Sequence, residues 1–175
     1  DSDTNEVIRR GETMGCFYVE SPATRQLLKK LWGGMPPERR AVADVFEYLV
    51  IVSSIIRPAA NVFADAFVRR AHGQRYCSLH PLLDEVLAET HGLMVYQEDV
   101  MKVAVALGGF SVEDGDQLRK VLSKKHKARQ LRDYQRQFYD GASVRGLTRP
   151  VSDQVWAMIM SFAGYSFCKP HSASY

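Results

Sequence analysis

Apolar residues recur along most of this chain at three- and four-residue steps, the spacing of helices with one buried face. Val42, Val45, Phe46, Leu49, Ser53 and Ile56 keep that step within residues 38–56, the longest candidate helix. From Val45 onward apolar residues cover its other side too, which predicts a helix buried nearly all round. The β-branched run Val50-Ile51-Val52 suits a strand, but the length of the pattern favours helix. Pro58 pushes Arg57 into extended backbone and ends the element there. At such a helix end Arg57 reads as a carbonyl cap rather than a ligand contact.

The same step marks Val62, Phe63, Ala66 and Phe67, then Val100, Val103, Ala104 and Leu107, then Leu131, Tyr134, Gln135 and Phe138, and last Val155, Trp156, Ile159, Met160 and Ala163. Starts and stops agree with it. Asp1 heads a two-turn helix that Gly11 ends. Ser21-Pro22 opens a helix reaching Leu31. Asn61 caps a helix that runs through His72 and stops at Gly73. Pro81 opens a short helix that runs to Thr90, before Gly92, and Ser111 has capping-box spacing with Asp114. Residues 14–20 and 93–95 read as short extended segments, and residues 141–150 as a turn-rich connector. The expected fold is mainly α, an irregular multi-helix domain with one or two very short extended segments, spanning residues 1–175 as a single domain.

The net charge is only +3, but its distribution is uneven. Residues 117–149 hold Arg119, Lys120, Lys124, Lys125, Lys127, Arg129, Arg132, Arg136, Arg145 and Arg149 against Asp133 and Asp140, or 10 − 2 = +8, leaving 3 − 8 = −5 for the remainder. Such a block predicts a localised surface for a polyanion; the plainer alternative is a solvated helix face. Cys16, Cys77 and Cys168 are odd in number and far apart, as expected of reduced thiols in a cytoplasmic protein. The N-terminus is acidic and has no apolar core of a signal peptide. No apolar run approaches a membrane span, so no membrane partner is expected.

Several chemical readings are set aside. Asp1 and Asp3 have the D-x-D spacing of a magnesium site, but acids before a helix are normally caps. Cys77-x-x-His80 and Cys168-x-x-His171 resemble zinc half-sites, yet lie far apart in sequence. Phosphate-cradling glycine motifs are absent. No residue is assigned to catalysis and none to a metal.

The stretch Phe162-Ala163-Gly164-Tyr165-Ser166-Phe167-Cys168-Lys169-Pro170-His171-Ser172-Ala173-Ser174-Tyr175 mixes rings, a cation, an imidazole and hydroxyls, groups that suit phosphates and stacked bases. It resembles a signature of the C-family DNA polymerases, the alpha subunit of bacterial DNA polymerase III. Three upstream segments resemble the same family in the same order: Gly11-Glu12-Thr13 through Phe17 to Glu20-Ser21, then Thr90, Gly92 and Tyr96-Gln97-Glu98 with Val100-Met101, then Leu118-Arg119-Lys120 with Lys124-Lys125. Tyr18 stands where the family has glutamine, Ala59-Ala60 where it has Gly-Pro, and Lys120 where it has a second arginine. Pro170 is a further departure.

The resemblance implies most of a polymerase fingers region, cut off mid-element at its C-terminus. It implies that Arg119, Lys120, Lys124, Lys125, Lys169 and His171 meet the triphosphate of the incoming deoxynucleotide or nearby backbone, with Tyr165 near the nascent base pair. Lys127, Arg129, Arg132 and Arg136 are then assigned to DNA. The implied partners are primer-template DNA, deoxynucleoside triphosphates and the remainder of the polymerase chain. Magnesium belongs to palm aspartates upstream, so this piece is expected to need no cofactor and to be inactive alone. The competing reading is a stand-alone helical nucleic-acid-binding module that uses the same basic block.

Overall fold

The structure is a computed structural model. It describes residues 1–56, 61–122, 128–162 and 167–175, with the side chains of Asn61, Val62, Ala128 and Phe162 excepted. These residues form two compact units: Asp1–Tyr76 with Lys169–Tyr175, and Cys77–Cys168. The mainly α expectation holds. Eleven α-helices are present among the described residues, where an isolated parallel bridge joins Tyr96 to Phe167.

In the first unit, α1 (Ser2–Arg9) starts at Asp1, whose carboxylate accepts from the Thr4 amide. Helix α2 (Pro22–Gly33) starts at Ser21, whose hydroxyl accepts from the Thr24 amide. It buries Leu27, Leu28, Leu31 and Trp32. Residues 14–20 are a turn-rich loop rather than an extended segment: Gly15 and Tyr18 take positive φ, and the Thr13 hydroxyl donates to the Val19 carbonyl to close it. Backbone that turns twice in seven residues cannot run straight.

The helix expected over residues 38–56 is two helices, α3 (Pro37–Val42) and α4 (Val45–Ile55). The Asp44 carboxylate captures the amides of Phe46 and Glu47 and restarts the helix, so Val42 falls outside the buried stripe. Helix α4 buries Val50, Ile51, Val52, Ser54 and Ile55, nearly all round, although Phe46 at its start is exposed. The assignment of Arg57 as a cap lies outside the described residues. Helix α5 (Asn61–Ala71) follows and buries Phe67 but leaves Phe63 exposed. Gly73, at φ +100, turns the chain away from it.

The second unit begins with α6 (Pro81–Val86), where the His80 ring accepts from the Leu82 amide. The helix expected to reach Thr90 stops at Val86 and is followed by a single 3-10 turn, Ala88–Thr90. Helix α7 (Gln97–Gly108) buries Val100, Val103, Ala104 and Leu107, the expected stripe. Gly109, at φ +69, ends it. Helix α8 (Val112–Leu122) is capped by Ser111, whose hydroxyl accepts from the Asp114 amide.

Helix α9 (Ala128–Val144) runs through Gly141 into the expected connector. A side chain at Gly141 would overlap the Gly108 carbonyl, so this glycine permits a close helix crossing and does not end the helix. Helix α10 (Arg149–Phe162) buries Val155, Trp156 and Ile159 but leaves Met160 exposed. Phe110, Phe138 and Trp156 join these residues in one apolar core. Among the described residues no helix is long and apolar enough to cross a membrane.

Candidate nucleic-acid interface

The expected cations separate into groups with different surroundings. Arg119 and Lys120 lie on α8 in the second unit, and Asp116 gathers both. Its Oδ1 accepts from Arg119 Nε at 2.9 Å and Nη2 at 2.7 Å, and its Oδ2 lies 2.7 Å from Lys120 Nζ. From α7, Gln97 Oε1 accepts from Arg119 Nη1 at 3.0 Å. A planar guanidinium gripped on two edges has little rotamer freedom left. Hydrogen bonds from Lys120 and then Arg119 hold the Asp116 carboxyl below the usual carboxylate range. Both side chains keep solvent access, with 24% of Arg119 and 49% of Lys120 exposed.

Gln97 owes its position to the start of α7. The Asp99 carboxylate is buried and accepts from the amides of Val95 and Tyr96 at 3.0 and 2.8 Å. Burial pushes its carboxyl up, against the pull of the two amides and of Lys102. The Gln97 amide donates to the Phe167 carbonyl at 2.9 Å. Glu98, beside it, is half-buried.

Arg129, Arg132 and Arg136 are exposed on α9. Their spacing puts them on one face, opposite Phe138. Two other members of the basic block serve the fold. Arg145 donates to the Gly141 carbonyl, and Arg149 lies 3.9 Å over the Tyr139 ring and pairs with Asp153 at 3.0 Å. Lys124, Lys125, Lys127 and Tyr165 lie outside the described residues.

Lys169 and His171 lie on α11 (Lys169–Ser174), in the first unit. Lys169 Nζ is 3.3 Å from Glu47 Oε2 on α4, and His171 is exposed. One turn on, the Ser172 and Ser54 hydroxyls meet at 2.7 Å, both buried. The Tyr175 ring stacks on Tyr18 with centroids 4.5 Å apart. Tyr18, which stands where the family has glutamine, thus meets Tyr175, the last residue of the family-like stretch that begins at Phe162. Cys16 and Cys77 are exposed and Cys168 is half-buried, all as free thiols. Among the described residues no group of three or more His, Cys, Asp or Glu could hold a metal.

Residues 1–146 match the family model of the bacterial DNA polymerase III alpha subunit finger domain. The chain belongs to that family. The DNA polymerase III alpha subunit of Neisseria meningitidis serogroup A is 35% identical over 175 residues, which are 100% of this chain and 14% of that protein. The alpha subunit of Staphylococcus epidermidis is 34% identical over 176 residues, again 100% of this chain and 16% of the relative. That of Chlamydia muridarum is 32% identical over 176 residues and 13% of its own length. This member of the finger-domain family therefore spans a small part of each curated relative. Residues beyond 146, which include α10 and α11, fall outside the family match but inside these alignments.

Asp116, Gln97 and Glu47 were not assigned to the site from sequence. Asp116 had a visible signal, since acids three and four residues before Arg119 and Lys120 are placed to pair with them. Glu47 had none and Gln97 only its place in the family-like segment at Tyr96-Gln97-Glu98, because their partners lie 122 and 22 residues away (169 − 47 and 119 − 97).

Proposed function

We propose that this chain is the fingers portion of a DNA-directed DNA polymerase and that Arg119 and Lys120 bind the phosphates of the incoming deoxynucleoside triphosphate. The observation that carries the reading is the Asp116–Arg119–Gln97 arrangement. It presents two cations at a partly exposed position, and it sits where the family's L-R-R motif falls. Transfer of a nucleotidyl group needs developing negative charge neutralised at fixed positions, which an oriented guanidinium supplies.

By the matched motifs, Lys124, Lys125, Lys169 and His171 are assigned to the same triphosphate or nearby backbone, and Tyr165 to the nascent base pair. Lys127, Arg129, Arg132 and Arg136 are assigned to primer-template DNA. Magnesium and its carboxylates are assigned to the remainder of the polymerase chain, so the isolated chain is expected to extend no primer.

The test is steady-state primer extension by the whole polymerase. Arg119→Ala is expected to lower kcat/KM for the nucleotide by roughly ten- to a hundredfold, the loss of about 1.5–3 kcal/mol from a hydrogen bond to a charged group. Arg119→Lys recovers part of it, since it keeps the charge and loses the fork. An unchanged kcat/KM in Arg119→Ala would sink the assignment. The exposed row Arg129, Arg132 and Arg136 also suits the second reading, a nucleic-acid-binding module with no nucleotide pocket. That reading predicts DNA affinity that falls in Arg132→Ala while nucleotide kinetics ignore Arg119.

A further inference from the structure

Gln97 is the first residue of α7, a position where the backbone amide has no acceptor within its own helix. That amide donates to the Phe167 carbonyl at 2.9 Å, beside the parallel bridge that joins Tyr96 to Phe167. The turn before it is fixed from another side, since the buried Asp99 carboxylate holds the Val95 and Tyr96 amides. The Gln97 backbone is thus set by contacts that do not involve its side chain.

The half-buried side chain reaches instead to α8, where Oε1 accepts from Arg119 Nη1 at 3.0 Å. Arg119 does not need this contact to meet its charge, because Asp116 Oδ1 lies 2.7 Å from Nη2. What the contact adds is geometry. Asp116 is one turn before Arg119 on the same helix and grips Nε and Nη2. Gln97 fixes the third nitrogen against a second helix, so the plane of the guanidinium is set by two elements rather than one.

The acceptor is also neutral. Arg119, Lys120 and Asp116 carry 2 − 1 = +1 between them, as two cations on one carboxylate. A second carboxylate at position 97 would orient the fork equally well and cancel that remaining charge. An amide oxygen orients it and leaves the charge for an anion.

We propose that Gln97 is a positioning residue for nucleotide binding: its neutral oxygen fixes the Arg119 guanidinium against α7 and ties it to the segment at Phe167. The inference rests on the reading of Arg119 as a phosphate ligand. It extends that reading to a residue that touches no substrate and makes the neutrality of the acceptor a requirement of the site.

The test is steady-state primer extension by the whole polymerase with two variants that separate orientation from charge. Gln97→Met keeps the length of the side chain and removes the acceptor. It is expected to raise the nucleotide KM by roughly three- to tenfold, the range of one lost hydrogen bond, with kcat near that of the parent. It keeps the parent's rise of KM with salt, since no charge has changed. Gln97→Glu keeps an acceptor and adds a charge. It is expected to raise KM as well, and to flatten the rise with salt, because less net charge remains to be screened. In the Arg119→Ala background Gln97→Met has no further effect, as nothing is left to position. Partial misfolding lowers kcat through the active fraction and leaves KM alone, so KM separates positioning from a merely structural role.

An unchanged KM in Gln97→Met would overturn the proposal, as would an equal rise of KM with and without Arg119. A Gln97→Glu enzyme with the parent's KM and salt dependence would overturn the requirement for neutrality. Failure of the underlying reading is a different result: Arg119→Ala by itself leaves kcat/KM unchanged.

Discussion

Asp99 and Asp116 sit one helix apart in sequence and face opposite physics. Asp99 is buried and its carboxyl is pushed up by desolvation, whereas Asp116 is half-buried and its carboxyl is pulled down by Lys120 and Arg119. For Asp99 the folded pKa lies above the unfolded one, so the folded state binds the extra proton between the two values. Stability contributed through Asp99 therefore falls as pH rises through that window. Asp99→Asn keeps an oxygen for the Val95 and Tyr96 amides and is expected to remove this slope in urea titrations above about pH 4. Asp99→Ala strands both amides and is expected to cost about 2–4 kcal/mol in the same assay. At Asp116 the expected effect is on ligand rather than fold. Its carboxylate fixes the Arg119 fork, so Asp116→Asn is expected to raise the nucleotide KM severalfold and to leave the melting temperature unchanged. A lowered KM would make Asp116 a competitor for the cations and not their organiser. The sequence revealed the cations at this site, but not which atoms aim them, since Gln97 reaches Arg119 across 22 residues.

Helices were legible where local signals agreed and misread where one residue outvoted the pattern. The α7 stripe and the Ser111 cap followed from spacing alone. Asp44 did not fit a periodic reading, because its side chain competes with the backbone for the amides of residues 46 and 47. Gly141 reads as the start of a turn-rich connector, because a glycine's tertiary reason, here the Gly108 carbonyl of a crossing helix, is invisible along the chain. The two positions should respond differently to alanine. Asp44→Ala loses a cap and is expected to cost about 0.5–2 kcal/mol. Gly141→Ala improves helix propensity yet forces α7 and α9 apart, and is expected to lose more than about 3 kcal/mol, as severe overpacking does. Urea midpoints compare them directly, and a stabilised Gly141→Ala would refute the close-crossing account.

At the scale of the whole molecule, the first unit is discontinuous: its main body ends at Tyr76 and α11 returns from Lys169. Lys169, Ser172 and Tyr175 each meet a residue of the main body, at Glu47, Ser54 and Tyr18. Removing residues 169–175 is expected to lower the melting temperature reported by Trp32, which is buried in this unit, with Trp156→Phe leaving Trp32 as the sole indole. An unchanged transition would mean that α11 adds nothing to the unit. The discontinuity also sets an order of events during synthesis. Ser54 leaves the ribosome 118 residues before Ser172, a wait of about 6–24 s at typical translation rates of roughly 5–20 residues per second. Through that interval the α4 surface around Ser54 and Glu47 has no α11 to cover it. An α4 surface left bare in this way is expected to recruit a holdase chaperone to the nascent first unit until α11 emerges.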